Sequence, residues 1–330
     1  MNPTHGSPAS DEPPPPVTDT EPSRPKVAIV GTFQVGKSTL MNCLLADDVV
    51  DMGDGLPTTH VVSAWRHGSP EVARLYHGGQ REPLPMDLAE YRRHDGATGK
   101  AFMSLDRVEF VMDRECLRQV DILDTPGLNA AGAEGEREKK LTIAAVGEAD
   151  ACLVVVKNQQ LSQSEHDLIQ QVEATGKPYA VVMNCFDNDP GTSEAVRKVR
   201  KVVDAQLASV GASPVPVFGS ERVWTCNVGW YLWAKLDGDA SDGRRHKLSD
   251  LDDRIERFFR NQKKPRPEKA EILRLSNVTP VIDFVAGTGP AFLPLPARLQ
   301  LCGAFTGWRQ ELAVLAREAS CLAASGASEA

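Results

Sequence analysis

Gly31-Thr32-Phe33-Gln34-Val35-Gly36-Lys37-Ser38 joins the apolar run Val27-Ala28-Ile29-Val30 to a helical pattern over 37–45. Glycines at the ends of such a turn let backbone N–H groups curl around an anion, the helix start adds positive potential, and a lysine supplies a point charge. This spacing suits the grip on a polyphosphate. Gly31, Gln34, Val35, Gly36, Lys37, Ser38 and Thr39 would wrap it, with Lys37 on the β- and γ-phosphates and Ser38 on Mg²⁺.

Two further stretches extend that chemistry. Asp124-Thr125-Pro126-Gly127 follows the apolar end of Val-Asp-Ile-Leu. A carboxylate at the end of a buried strand reaches Mg²⁺ through water, and an amide such as that of Gly127 senses a γ-phosphate. Leu56-Pro57-Thr58-Thr59 lies in a Gly/Asp-rich loop, where a threonine hydroxyl completes the Mg²⁺ shell and closes over the γ-phosphate. Thr59 is favoured over Thr58, so the expected metal ligands are Ser38, Thr59 and Asp124.

These loops need strands to end at one edge of a sheet. Apolar runs of strand length recur at 27–30, 61–65, 72–76, 107–112, 120–124, 151–156 and 179–183, alternating with helical patterns. The alternation predicts a doubly wound, mostly parallel α/β sheet covered on both faces. The runs at 61–65 and 72–76, separated by a short Gly/Pro turn, predict an antiparallel hairpin at one edge. A closing helix carries Leu248, Leu251, Ile255 and Phe258 on one stripe. Beyond it come a charged linker, an apolar segment over 280–296 broken by Gly and Pro and expected to be irregular, and a heptad-type seam. That seam runs from Leu301 through Phe305, Trp308, Leu312, Leu315 and Ala319 to Leu322. It would either pair with another chain or cover its own domain. The expected organisation is a disordered leader (1–25), a nucleotide domain (26–262), and a linker with a short helical C-terminal extension (263–330).

Composition narrows the function classes. With 330 residues and 41% hydrophobic content, the chain can fill an ordinary core. A net charge of −8 and a pI near 5.5 offer no general basic field, so no nucleic-acid partner is expected. Eight prolines in the first 25 residues, with several acids and almost nothing apolar, mark a segment that cannot offset its ordering entropy. It lacks the pattern of a secretion signal, and no long uncharged apolar stretch follows. Seven scattered cysteines without a Cys-x-x-Cys pair fit a reducing cytoplasm.

The strand at 179–183 runs into Asn184-Cys185-Phe186-Asp187. Here the chain resembles the translation-factor-type P-loop GTPases, whose base-reading motif is N-K-x-D. The stretches G-x-F-x-x-G-K-S-T-L-M-N, LPTT, VDILDTPGL and ADACLVVVKNQQLSQSE are similar to the dynamin-like branch over roughly residues 26–260. Era-type GTPases, which share DTPG, are the second resemblance.

The resemblance implies that Asp187 accepts two N–H bonds from guanine and that Asn184 braces the phosphate loop. Cys185 departs from the family's lysine, which lies along the base plane. A small-residue loop at Thr225, Cys226 and Asn227 would meet the guanine oxygen. Many GTPases orient the attacking water with a glutamine after D-x-x-G, but this chain has Leu128. Gln34 stands where dynamin-like proteins carry a catalytic serine or arginine and some Era-type enzymes a potassium-binding asparagine. It either orients water and helps hold K⁺ or merely caps the loop.

The expected catalytic set is Gln34, Lys37 and Thr59, acting on GTP with Mg²⁺. The implied activity is hydrolysis of GTP to GDP, coupled by self-association through the GTPase domain to remodelling of a membrane or partner. The alternatives are a slow GTP-dependent switch recruiting a protein partner through the C-terminal extension, and an Era-like ribosome-associated factor. The expected location is cytoplasmic, peripheral at a membrane in the first reading.

Overall fold

The computed structural model describes residues 24–47, 61–77, 82–88, 90–91, 105–128, 132–186, 188–215, 221–236 and 242–286. The leader up to residue 23, the loop with Thr58 and Thr59, Asp187, and the seam after residue 300 lie outside the described residues.

Continuous apolar segments form the middle of the sheet. β1 (Lys26–Val30) pairs in parallel with β6 (Asp121–Asp124) on one side and β7 (Ala151–Lys157) on the other. β8 (Tyr179–Asn184) and β9 (Val223–Cys226) continue the parallel half. β2 (Val62–His67), β3 (Val72–His77), β4 (Leu84–Asp87) and β5 (Leu105–Met112) complete a nine-stranded order, β4-β3-β5-β2-β6-β1-β7-β8-β9. Strands buried on both faces need no polar alternation, which is why β7 and β8 read as near-unbroken apolar runs.

The expected edge hairpin is not formed. β2 runs parallel to β5 and antiparallel to β6, whereas β3 pairs antiparallel with β4 and β5. The eight-residue β5 buries Leu105 and Val108 through Met112 and takes the place between the two strands. Its longer apolar face outweighs the short turn joining β2 to β3. The intervening strand β4, Leu-Pro-Met-Asp, has too few apolar residues to stand out in the sequence.

Helices cover both faces. Val27 and Ile29 pack on one side with α1 (Lys37–Leu45) and α5 (Val228–Lys235), while Ala28 and Val30 face α2 (Gly132–Glu148), α3 (Gln163–Ala174) and α4 (Glu194–Ser209). Caps set several of these starts. Ser162 and Glu165 form a reciprocal capping box on α3, and Ser193 and Asn227 cap α4 and α5.

The predicted closing helix is α6 (Asp242–Asn261), whose Ile255 and Phe259 pack with Trp230 of α5 and Ile272 of α7 (Lys269–Leu275). Aromatic side chains serve this packing, with Trp230 against Phe258 and Phe259 and Trp233 beneath Arg266 and Lys269. The stretch expected to be irregular begins as α8 (Thr279–Ala286). Pro280 falls in the first turn, where no N–H is needed, and the glycines come later. α8 buries Val281, Phe284 and Val285 in the core of α1 and the sheet. No helix among the described residues is long and apolar enough to cross a membrane.

Candidate functional site

The carboxyl ends of parallel strands are where open α/β sheets bind ligands. β1, β6 and β8 deliver their loops there together. After β1 the chain turns through Gln34 at φ 57° and Gly36 at φ 98° before entering α1. Lys37 folds back so that its Nζ donates to the carbonyls of Gly31 (3.1 Å) and Thr32 (3.0 Å). The ammonium is thereby held at a fixed point inside the loop. Ser38 and Thr39 follow in the first turn of α1.

The loop after β6 lies against that ammonium. A Cβ placed on Gly127 would stand 3.3 Å from Lys37 Nζ and 3.0 Å from the Cα of Phe33. Glycine is needed there for close approach. Phe33 N–H donates to the Leu128 carbonyl (2.9 Å), and Leu128 N–H donates to Gly31 (3.4 Å). Thr125 Oγ1 anchors the same turn to the Ile29 carbonyl at 2.8 Å. Two backbone hydrogen bonds thus tie the turn at 31–33 to the D-x-x-G turn.

Asp124 ends β6 in a fully buried position, and its Oδ1 has no hydrogen-bond partner. A buried charged acceptor left open is costly unless a cation or its water fills it. This fits a hydrated Mg²⁺ at that oxygen. Burial pushes the Asp124 carboxyl up to about 6, and the Lys37 charge offsets part of the rise. Burial likewise lowers Lys37 to about 8 against the pull of Asp124 and then Glu138. Glu138, on α2 and only 2% exposed, was not singled out by the sequence. Its one signal was its position on the helix after D-x-x-G.

These shifts make a signed prediction for protein free of nucleotide and metal. Asp124 holds its proton more tightly folded than unfolded, so between 3.8 and about 6 its contribution to stability falls as pH rises. Lys37 gives up its proton more readily folded than unfolded, so between about 8 and 10.5 its contribution climbs with pH. Subtracting the melting profile of Asp124→Asn from that of wild type should leave a decline across the acid window. A flat difference there would contradict the assignment.

At the end of β8, Asn184 Nδ2 donates to the Val35 carbonyl at 3.0 Å, which ties this strand end to the 31–38 loop. Cys185 points inward and is fully buried, its thiol pushed up to about 12 by burial. It cannot lie along a base as the family's lysine does. Cys43 and Cys226 are buried free thiols too, both raised by burial. Neutral enclosed thiols react slowly, which favours space-filling over a redox role.

The three residues proposed to meet the guanine oxygen are all committed inward. Thr225 Oγ1 donates to Pro190 (3.0 Å), Cys226 is sealed in the core, and Asn227 caps α5 while donating to Asn188 (3.2 Å) and to Phe186. Thr225 and Asn227 instead hold the segment from Phe186 to Pro190 from within.

Residues 27–186 match the family model described as the Dynamin family. The isoniazid-induced protein IniC of Mycobacterium tuberculosis is 31% identical over 154 residues, 44% of this chain and 30% of IniC, so the match spans less than a third of that relative. A member of an oligomerised bacterial dynamin pair, described as sensing and tethering membranes, superimposes with TM-score 0.44 and 15% identity over 80% of this chain and 36% of that one. An Era variant of Aquifex aeolicus bound to GDP and aluminium fluoride gives TM-score 0.37 and 18% identity over 69% of this chain and 56% of that one.

Proposed function

We propose that this chain, which carries a dynamin-like P-loop GTPase domain, binds GTP with Mg²⁺ and hydrolyses it to GDP and phosphate, coupling turnover to self-association at a membrane or partner surface. The observation that carries the reading is the placement of Lys37. Its ammonium is pinned on two loop carbonyls, with Gly127 in close contact and the open oxygen of Asp124 within its electrostatic reach.

Ser38, Asp124 and Thr59 would hold the metal, which when bound neutralises charge on the phosphate oxygens. Lys37 and the loop amides meet charge developing on the transferred phosphoryl group, where preorganised donors count most. Asp187 selects guanine, and Asn184 keeps the loop at the right distance from the base.

Leu128 shapes the catalytic expectation. Its side chain offers no polar atom, and both its backbone groups are engaged with the phosphate loop. Water must be oriented from elsewhere, and Gln34, held at φ 57° in that loop, is the nearest candidate by position. We assign it that role, completed when two GTPase domains meet across the nucleotide and supported by K⁺. Turnover per molecule should rise with protein concentration, and Gln34→Ala should remove at least tenfold of the stimulated rate, in line with general contributions of positioned groups of ~10²–10⁴. Equal turnover of wild type and variant at every concentration, in potassium and in sodium, would defeat the assignment. Flat, very low wild-type turnover would instead support a slow switch that recruits a partner in its GTP state, the reading favoured by the apolar Leu128.

A further inference from the structure

The base-reading loop is held from an unexpected direction. Asn184 ends β8, yet the groups that hold Phe186 and Asn188 beyond it come from Asn227, just past β9, which is itself tied to the turn between α7 and α8, about ninety residues later in the chain. Asn227 Nδ2 donates to the carbonyls of Phe186 and Asn188, the two residues flanking Asp187. Its Oδ1 accepts from Trp230 N–H at 3.1 Å, so the amide is satisfied at both ends and fully buried.

Asn227 is held in turn by the α7–α8 turn. Its N–H donates to the Ser276 carbonyl at 2.7 Å. One residue on, Asn277 Nδ2 donates to the Thr225 carbonyl (2.7 Å), and the Asn277 carbonyl accepts Trp224 Nε1 (2.9 Å). Thr225 Oγ1 then donates to Pro190, on the far side of the loop. Two asparagines therefore connect the α7–α8 turn to both flanks of Asp187.

We propose that Asn277 and Asn227 form a clamp that positions the base-reading loop, making the α7–α8 turn part of the guanine-specificity apparatus. The proposal rests on the reading of 184–187 as the guanine motif. Both are positioning residues, since neither is placed to touch nucleotide. Buried hydrogen-bond networks fix a unique geometry when every member is satisfied, and they lose it when one member is removed.

The backbone supplies a clean test. Asn277 sits at φ 58°, a conformation that glycine adopts freely, so Asn277→Gly deletes the amide donor without straining the turn. Asn277→Asp keeps the size but sets a carboxylate against the Thr225 carbonyl. GDP and ADP affinities are measured on the full chain by competition against a fluorescent nucleotide, together with melting temperatures without nucleotide. The expected result is a fivefold to tenfold fall in the GDP-to-ADP affinity ratio for Asn277→Gly, from loss of one buried hydrogen bond. A larger fall is expected for Asn277→Asp, with ADP affinity unchanged in both. Trp224→Phe, which removes the other tie to residue 277, should shift the ratio in the same direction.

An unchanged ratio, or equal losses for both nucleotides, would overturn the clamp whatever happens to the melting temperature. A wild-type protein with no preference for GDP over ADP would instead overturn the guanine-binding reading itself, so the two failures are distinguishable.

Discussion

Lys37→Ala should abolish guanine-nucleotide binding while leaving the fold intact, and Lys37→Met should do the same. Lys37 is buried, and its ammonium is set by the Gly31 and Thr32 carbonyls beside Gly127. Charge-assisted contacts to phosphate are about twice as strong as neutral ones. Losing two of them, about 4 kcal/mol, corresponds to roughly a thousandfold in affinity. Met keeps the aliphatic stem and removes only the charge, so matching losses in the two variants would assign the effect to the ammonium rather than to packing. Stability should change far less. Removing a buried ammonium relieves its desolvation but leaves the buried Asp124 without its counter-charge, and these effects oppose each other. Titration calorimetry on both variants, alongside circular dichroism, checks this. Micromolar affinity retained in either would mean that the phosphate grip lies elsewhere.

How much of this site was legible in advance depends on how far apart the partners lie in sequence. The turn between β1 and α1 was readable because its glycines, lysine and serine occupy eight consecutive positions between a strand and a helix. The Asn184 brace joins residues 149 apart, and only a family resemblance pointed to it. The Asn277–Thr225 bond spans 52 residues and starts in a segment whose sequence reads only as a charged linker and helical extension, so no local signal announced it.

The same limit governed the sheet. Apolar runs identify strands because each buries its own residues, but they do not say which strands become neighbours. β2 and β3 look like a hairpin because the turn between them is short. They are parted because β5 has more apolar surface to bury between them. Asn227 shows the converse: it was singled out as a contact to guanine, but its amide faces the loop carbonyls and the start of α5. Residue type alone does not give the direction in which a side chain points.

The joint between the two ends of the nucleotide site can be tested as a unit, and here the expected effect on stability is the largest. Gly36 lies at φ 98°, and a Cβ there would stand 2.4 Å from Asn184 Nδ2, the atom that donates to the Val35 carbonyl. That amide cannot step aside without giving up its bond. Gly36→Ala should therefore destabilise the protein by about 3 kcal/mol, combining a left-handed backbone penalty of about 1 kcal/mol with the clash. Nucleotide binding should be lost with it. Asn184→Ala alone removes one buried hydrogen bond, about 1 kcal/mol, and leaves the backbone turn free. Combining the two removes the obstacle, leaving only the backbone penalty and the missing bond, about 2 kcal/mol together. The double variant should accordingly melt above Gly36→Ala although it carries one more substitution, the non-additivity expected of residues in contact. Its nucleotide affinity should stay lost, because the turn needs glycine whether or not Asn184 is present. Additive melting shifts across the four proteins would show that the phosphate loop and the base-reading strand are not locked together at this point.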